Sequence, residues 1–297
     1  MNIRYSLIAF LALSLPAAAQ QVPDTAFRAE IARPAYAKGT GSVVMIDAGH
    51  NNFHTLDNRY RSFGNVLEGD GYRMASGDGP ATAESLNTCR IFVISNPLDS
   101  SNTGNWSLPT PSAYSAEEIT AINAWVRGGG SLLLIADHMP FAGAAHDLAA
   151  SFGFEYLNCF AMDNRRRNFE RFFHSNGSLA DCEITRGVDT VVSFTGSAFR
   201  IPEGATPILK LNDYTLLMPQ TAWQFEENTP TVDSEGYYQG AVMPYGKGRI
   251  AVMGEAAMFS AQLGGPNRTP FGMNRPEARE NSRLLLNIIH WLDGRAP

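Results

Sequence analysis

Four short apolar runs constrain this chain most, because each ends in a polar side chain able to bind a ligand or move a proton. Ser42–Asp47 closes on Asp47, Arg90–Ser95 leads into Asn96, Leu132–Ala136 into Asp137-His138, and the run ending at Met253 into Gly254-Glu255. Runs this short, without polar alternation, are the pattern of strands buried on both faces, as in a parallel sheet covered by helices. Ligands of such sheets bind just beyond the carboxyl ends of the strands.

The intervening segments carry helical spacing. Asp57 to Tyr72 places Tyr60, Phe63, Val66 and Leu67 on one face, and Gly69 and Gly71 end it. Arg73 to Ser76 reads as a short strand. Pro97 to Ser112 is a long loop rich in Ser, Asn, Pro and Thr. Ser115 and Glu118 then form a capping box for a helix with Ile119, Ile122, Trp125 and Val126 inward, stopped by Gly128-Gly129-Gly130. A helix over about 143–152 follows, and Asn281–Leu292 closes the chain with a broad stripe of Leu284, Leu285, Ile288, Ile289 and Leu292. His290, beside that stripe, reads as structural. Gly240 to Met253 reads as a hairpin turning at Tyr245-Gly-Lys-Gly248. The expected fold is therefore α/β, a flavodoxin-like, doubly wound, mostly parallel sheet. Residues 155–239 break the rhythm and read as an insertion or cap, with short strands at 191–199, 208–211 and 215–218; Arg165-Arg166-Arg167 there could bind an anionic substrate, but a solvated face or ion-pair cluster is the favoured reading.

At the N-terminus, Arg4, the apolar run Tyr5–Leu15 and Ala17-Ala18-Ala19 have the form of a cleavable signal peptide over 1–19. The expectation is a periplasmic or secreted protein with an arm over 20–41 and a domain over 42–297. No later stretch reaches eighteen apolar residues, so no stable membrane insertion is expected after cleavage. With 29 acidic and 23 basic side chains the chain carries a net charge of −6, which argues against a nucleic-acid partner. Of its three cysteines, Cys89 reads as a small buried residue, and Cys159 with Cys182 as a disulfide suited to an oxidising compartment.

The densest polar stretch is Asp47-Ala-Gly-His50-Asn51-Asn52-Phe-His54-Thr55. If the sheet is parallel, it shares one edge with Asn96, Asp137-His138 and Glu255. Asp47, His50, Asp137, His138 and Glu255 are the candidate catalytic residues, and Asn51, Asn52 and Asn96 the candidates for substrate binding. His50, His54, Asp137 and His138 have the donor types of a divalent metal site such as zinc. Without a metal, His50 or His138 would act as base, oriented by Asp47 or Asp137. A third reading has Asp47 and Asp137 capping the following helices while the His and Asn side chains satisfy loop backbone. The short piece after Gly254-Glu255 has backbone donors to offer an anion, and Gly264–Asn274 reads as a loop at the rim. Neither a G-x-S-x-G elbow nor a Walker loop is present. The functional expectation is an exported hydrolase for a small polar or carbohydrate-derived substrate; the alternative is a non-catalytic periplasmic ligand-binding or envelope-associated module.

Gly128-Gly-Gly-Ser-Leu-Leu-Leu-Ile-Ala-Asp137 and the later Gly246-Lys-Gly-Arg-Ile-Ala-Val-Met-Gly-Glu255 resemble the class I glutamine amidotransferase-like superfamily, and within it the DUF4350 and gliding-motility-type branches. The resemblance spans about 42–154 and 240–293. It implies the fold given above. The superfamily's amidotransferases carry a nucleophilic Cys after the strand that here is Leu132–Ala136, where this chain has Asp137-His138. Neither Cys89 nor Cys159 takes that position, so thiol-dependent glutamine hydrolysis is not implied.

Overall fold

A computed structural model describes residues 21–165 and 169–297; the expected signal peptide, and Arg166 and Arg167 of the basic run, lie outside them. In chain order the elements are β1 (Val22–Pro23), β2 (Val43–Asp47), α1 (Arg61–Gly69), β3 (Arg73–Gly77), α2 (Ala83–Leu86), β4 (Ile91–Ser95), α3 (Ala116–Gly128), β5 (Ser131–Ile135), α4 (Phe141–Ala150) and β6 (Glu155–Asp163). They continue as β7 (Glu170–Phe173), β8 (Thr190–Ser193), β9 (Gly196–Arg200), β10 (Thr206–Lys210), β11 (Tyr214–Leu217), β12 (Thr231–Asp233), β13 (Tyr238–Tyr245), β14 (Gly248–Met253), β15 (Ala261–Gly264), β16 (Thr269–Gly272) and α5 (Asn281–Leu292).

The central sheet has eleven strands and is mixed. Its parallel half runs β3-β2-β4-β5-β14, the order 2-1-3-4-5 in which the connections change direction between β2 and β4. Alternate residues of these strands feed two cores. Val44, Ile46, Ile91, Val93, Leu133, Ile135, Ala251 and Met253 meet α1 and α5 on one face, while Met45, Phe92, Ile94, Leu132, Leu134, Ile250 and Val252 meet α2, α3 and α4 on the other. Burial on both faces removes the polar alternation that a half-exposed strand would show.

The expectation of a mostly parallel sheet needs correction beyond β14. β13 folds back antiparallel on β14 through the expected turn, pairing Tyr245 with Gly248. β10, β9, β6, β11 and β12 then extend the sheet in antiparallel pairings. Most of the strands between residues 155 and 239 therefore continue the central sheet, and only β7 and β8 form a small sheet of their own. The arm is pinned as well: β1 pairs with β15, and Phe27, Ile31 and Tyr36 pack on the core formed with α1 and α5. The stretch over 264–274 is largely a β15–β16 hairpin.

Two local expectations also change. All three cysteines are free. Cys159 is buried in the core, where burial pushes its thiol up to about 12, and Cys182 Sγ lies 3.8 Å from Thr185 Oγ1, so the expected bridge is not formed. His290 is structural as expected, its Nε2 lying 2.6 Å from Asp70 Oδ2. Among the described residues, no helix is long and apolar enough to cross a membrane.

Gly248 shows how closely β14 approaches the turn from α3 into β5. A Cβ there would fall inside contact distance of the carbonyl oxygens of Gly130 and Val126, both backbone. Gly248→Ala is expected to lower stability by about 1–3 kcal/mol, read as the shift in a urea midpoint; an unchanged midpoint would contradict the packing described.

Candidate functional site

The carboxyl ends of the parallel strands bring the polar loops to one edge. Ile135 and Met253 are register partners, so Asp137 and Glu255, two residues further along each strand, stand level with each other. Asp47 ends β2, and Asn96 follows β4 across the switch point. Asn51 and Asn96 both take left-handed backbone at φ 49°, a conformation asparagine tolerates better than most side chains.

Two polar clusters result. In the first, His50 lies between two carboxylates: Nδ1 is 2.9 Å from both oxygens of Asp47, and Nε2 is 2.9 Å from Glu118 Oε1. Carboxylates only accept, so both ring nitrogens carry hydrogen and His50 is an imidazolium. Burial pulls its pKa down, but the hydrogen bonds and charges of Asp47 and Glu118 outweigh burial and raise it. Tyr114 donates its hydroxyl to Asp47 Oδ2 at 2.5 Å and its ring lies 4.1 Å from that of His50. Asn52 donates to Asp47 Oδ2 at 3.1 Å and accepts from the His50 N–H at 3.0 Å. Glu118 is the residue the sequence reading missed. Its Oε2 does close the expected capping box on Ser115, while Oε1 meets His50 and the Ala81 N–H. Burial works to raise the Glu118 carboxyl, yet hydrogen bonds from Ser115, His50 and Ala81 hold it at about 2.

The second cluster is built on Asp137, His138 and Glu255. Asp137 is buried, and burial raises it to about 7 against hydrogen bonds from His138, Asn96 and Ala256. Glu255 is fully buried and raised well above the carboxylate range by burial and then by the charge of Asp137. Its oxygens accept from the N–H groups of Ala257 and Met258, both at 2.7 Å. The donors expected to face an external anion there are thus occupied by the chain's own carboxyl. His138 Nδ1 lies 2.7 Å from the Met139 carbonyl, which fixes the proton on Nδ1. Nε2 has no hydrogen-bond partner among the described residues and is not among the fully enclosed polar atoms. Burial lowers the imidazole to about 4, so at neutral pH it is an uncharged base.

Aromatic rings surround His138. Phe160 stacks on it at 4.4 Å, Trp223 meets it edge-on at 4.7 Å, and Phe141 and Trp106 lie at 5.9 and 6.2 Å. The loop over 97–112 reaches this wall through the Ser107–Thr221 bridge and a hydrogen bond from the Leu108 N–H to Gln220. Among the described residues, Trp223, Phe225 and Leu108 are the large apolar side chains that stay exposed, Trp223 to 52%. They stand on these two joined loops, a concentration of exposed apolar surface of the kind that marks ligand grooves.

Several expected roles change. His50 cannot serve as a base, since both nitrogens are engaged. Asp137 accepts the backbone N–H of His138 at 2.8 Å and does not orient its ring. Asn52 and Asn96 are buried and tie loops together, Asn96 by accepting from the Asp137 N–H at 2.8 Å and facing His54 Nδ1 at 3.3 Å. Asn51 is exposed and bonds the Leu98 carbonyl at 3.2 Å. Among the described residues, no three His, Cys, Asp or Glu side chains converge as metal ligands. The expected set of His50, His54, Asp137 and His138 is not assembled, because each ring already turns to a different partner.

Fold and site together define a mixed α/β protein whose polar loops gather at the carboxyl edge of a five-stranded parallel unit, around its switch point. No family model matches the chain, and no curated protein matches its sequence. Among solved structures it is similar to the mmIFT52 N-terminal domain, at 16% identity and a TM-score of 0.61, covering 84% of this chain and 97% of that one. It is also similar to a cytoplasmic protein of Salmonella typhimurium, at 14% identity and a TM-score of 0.50, covering 85% and 99%. Thua-like proteins are among the further matches, one from Bacteroides uniformis at 11% identity and a TM-score of 0.47, covering 89% and 93%. At these identities the likeness concerns fold alone.

Proposed function

We propose that this chain is an exported, hydrolase-like member of the class I glutamine amidotransferase-like superfamily, on its DUF4350 and gliding-motility side, that acts on a small polar or carbohydrate-derived substrate. The observation that carries the reading is the adjacent pair Asp137 and His138. Their ordinary protonation preferences are reversed: the acid is held at about 7 and the base at about 4, beneath exposed Trp223. Groups poised this way suit general acid–base work. In the proposed reaction His138 Nε2 takes a proton from water, the water oxygen attacks the scissile centre, and Asp137 gives its proton to the leaving oxygen. Burial and the charge of Asp137 raise Glu255 beside it, which disfavours a second negative charge there. No step runs through a metal.

The reaction needs His138 uncharged and Asp137 protonated. The rate is therefore expected to rise through about pH 4 and fall through about pH 7, measured with nitrophenyl glycosides and esters as probes. His138→Gln should abolish it. A rate still rising at pH 8, or retained in that variant, would exclude this pair. Trp223→Ala should weaken substrate binding about tenfold, near the upper range for an aromatic contact, without changing the thermal midpoint, since the ring is largely exposed.

A non-catalytic ligand-binding module is the second reading. It is favoured by the internal satisfaction of His50, Asn52 and Glu255 described above. Calorimetric binding of a sugar that is never turned over would select it.

A further inference from the structure

We propose that Arg59, with His54 behind it, anchors an oxyanion carried by the ligand of this site. The inference rests on reading this edge of the sheet as a small-ligand site and adds a chemical class, that of acidic substrates. Among the described residues, Arg59 and Arg275 are the arginines whose Nε is enclosed without a hydrogen-bond partner. Arg275 has Glu277 at 3.3 Å, whereas Arg59 has no carboxylate within ion-pair distance among the described residues. Its guanidinium lies 3.9 Å over the ring of Phe53, and its Nη1 reaches the Phe53 carbonyl only at 3.4 Å. A half-buried cation held this way is short of one charge partner, and the fork of Nε with its neighbouring Nη is the edge that receives a planar oxyanion.

His54 makes the same point independently. It is 3% exposed, and Asn96 donates to its Nδ1. The proton therefore sits on Nε2, which is enclosed and has no acceptor. Its ring meets Phe53 edge-on at 5.5 Å. Burial, then the charge of Arg59, lowers it to about 3, so the ring is neutral. Two unsatisfied donors thus flank Phe53, a costly arrangement unless an acceptor joins them. Phe53 also lies 5.5 Å from both Trp106 and Phe141, whose rings line His138. The anchor and the proposed base are therefore linked through one run of contacting aromatic rings.

The test uses the full chain with glucose, glucuronate and glucose 6-phosphate, measured by calorimetry. The Arg59 Nε–H resonance is followed at the same time and titrated with acetate and sulfate. Wild type should bind at least one acidic sugar tenfold or more tighter than glucose, and which one is preferred tells carboxylate from phosphate. Arg59→Met should erase that preference and leave glucose binding unchanged, with Arg59→Lys intermediate. Equal affinity for all three sugars, a preference surviving in Arg59→Met, or a resonance indifferent to every anion would overturn the anchor and leave an ordered water as partner of both donors. His138→Ala separates the two ideas. It removes turnover while the anion response of Arg59 persists, so the hydrolase reading can fail without the anchor, and the anchor without the hydrolase.

Discussion

Asp47→Ala is expected to lower folding stability by about 3–5 kcal/mol, the range for removing one partner of a buried ion pair. His50 would keep Glu118 and lose the carboxylate that meets its Nδ1 with both oxygens. The Tyr114 hydroxyl and Asn52 would lose their acceptor in the same step. Urea unfolding at pH 6 measures the loss, and a change below about 1 kcal/mol, the value of an exposed pair, would contradict the assignment. The charge also sets a pH sign. Because the folded state raises His50, its contribution is complete below the ordinary histidine value and is lost as pH rises through the folded value. That alkaline decline should be largely absent from Asp47→Ala. Asp47→Asn, which keeps an acceptor for Tyr114 but no charge, should fall between the two.

Asp137→Asn is expected to act in the opposite direction. The folded state holds Asp137 at about 7, well above an ordinary aspartate, so the protonated form is preferred there. Its stabilising contribution is complete below about pH 4 and lost progressively up to about pH 7, at roughly 1.4 kcal/mol per pH unit. Asparagine keeps an oxygen for the His138 N–H and does not titrate. The variant should match wild type near pH 4 and exceed it by up to about 4 kcal/mol at pH 8. His54 and His138, lowered to about 3 and 4, have the reverse dependence, losing their contribution as pH falls; Glu170, raised to about 7 by burial, adds to the Asp137 trend. These three remain in both proteins, whereas Glu255, which the Asp137 charge helps to raise, shifts with the substitution, so the difference between the two stability curves reports the Asp137–Glu255 pair. Parallel curves would refute the shift. A gain in stability with a loss of turnover is what a functional group held against its own preference should give.

The parallel half of the sheet was legible because strands covered on both faces announce themselves as unbroken apolar runs. The antiparallel half was not. In Glu155–Asp163, polar and apolar residues mix, and nothing local says that Leu157 will face Ala198 or Leu216 face Ala161. The first helix begins at Arg61 and not at Asp57, since the Asn58 side chain accepts the Thr55 N–H and holds a turn there. At the site, Asp47, His50, Asp137, His138 and Glu255 were visible from their place after strands. Glu118 was visible only as a helix cap, because one oxygen does the local work while the other meets a histidine 68 residues away. Arg59 gave no signal, since what sets it apart is that no carboxylate pairs with it among the described residues. The Cys159–Cys182 expectation failed because two cysteines in one stretch of sequence need not face each other.

The place of β14 bears on how the chain reaches this state. That strand lies in the middle of the sheet, between β13 and β5, yet it follows β5 by more than a hundred residues in synthesis order. Until it arrives, β5 has an open edge and the α5 side of the core has no lid. Closure is therefore a late, long-range event, and such topologies fold slowly and expose strand edges while they wait. A nascent chain of this order stays open until β14 has been made.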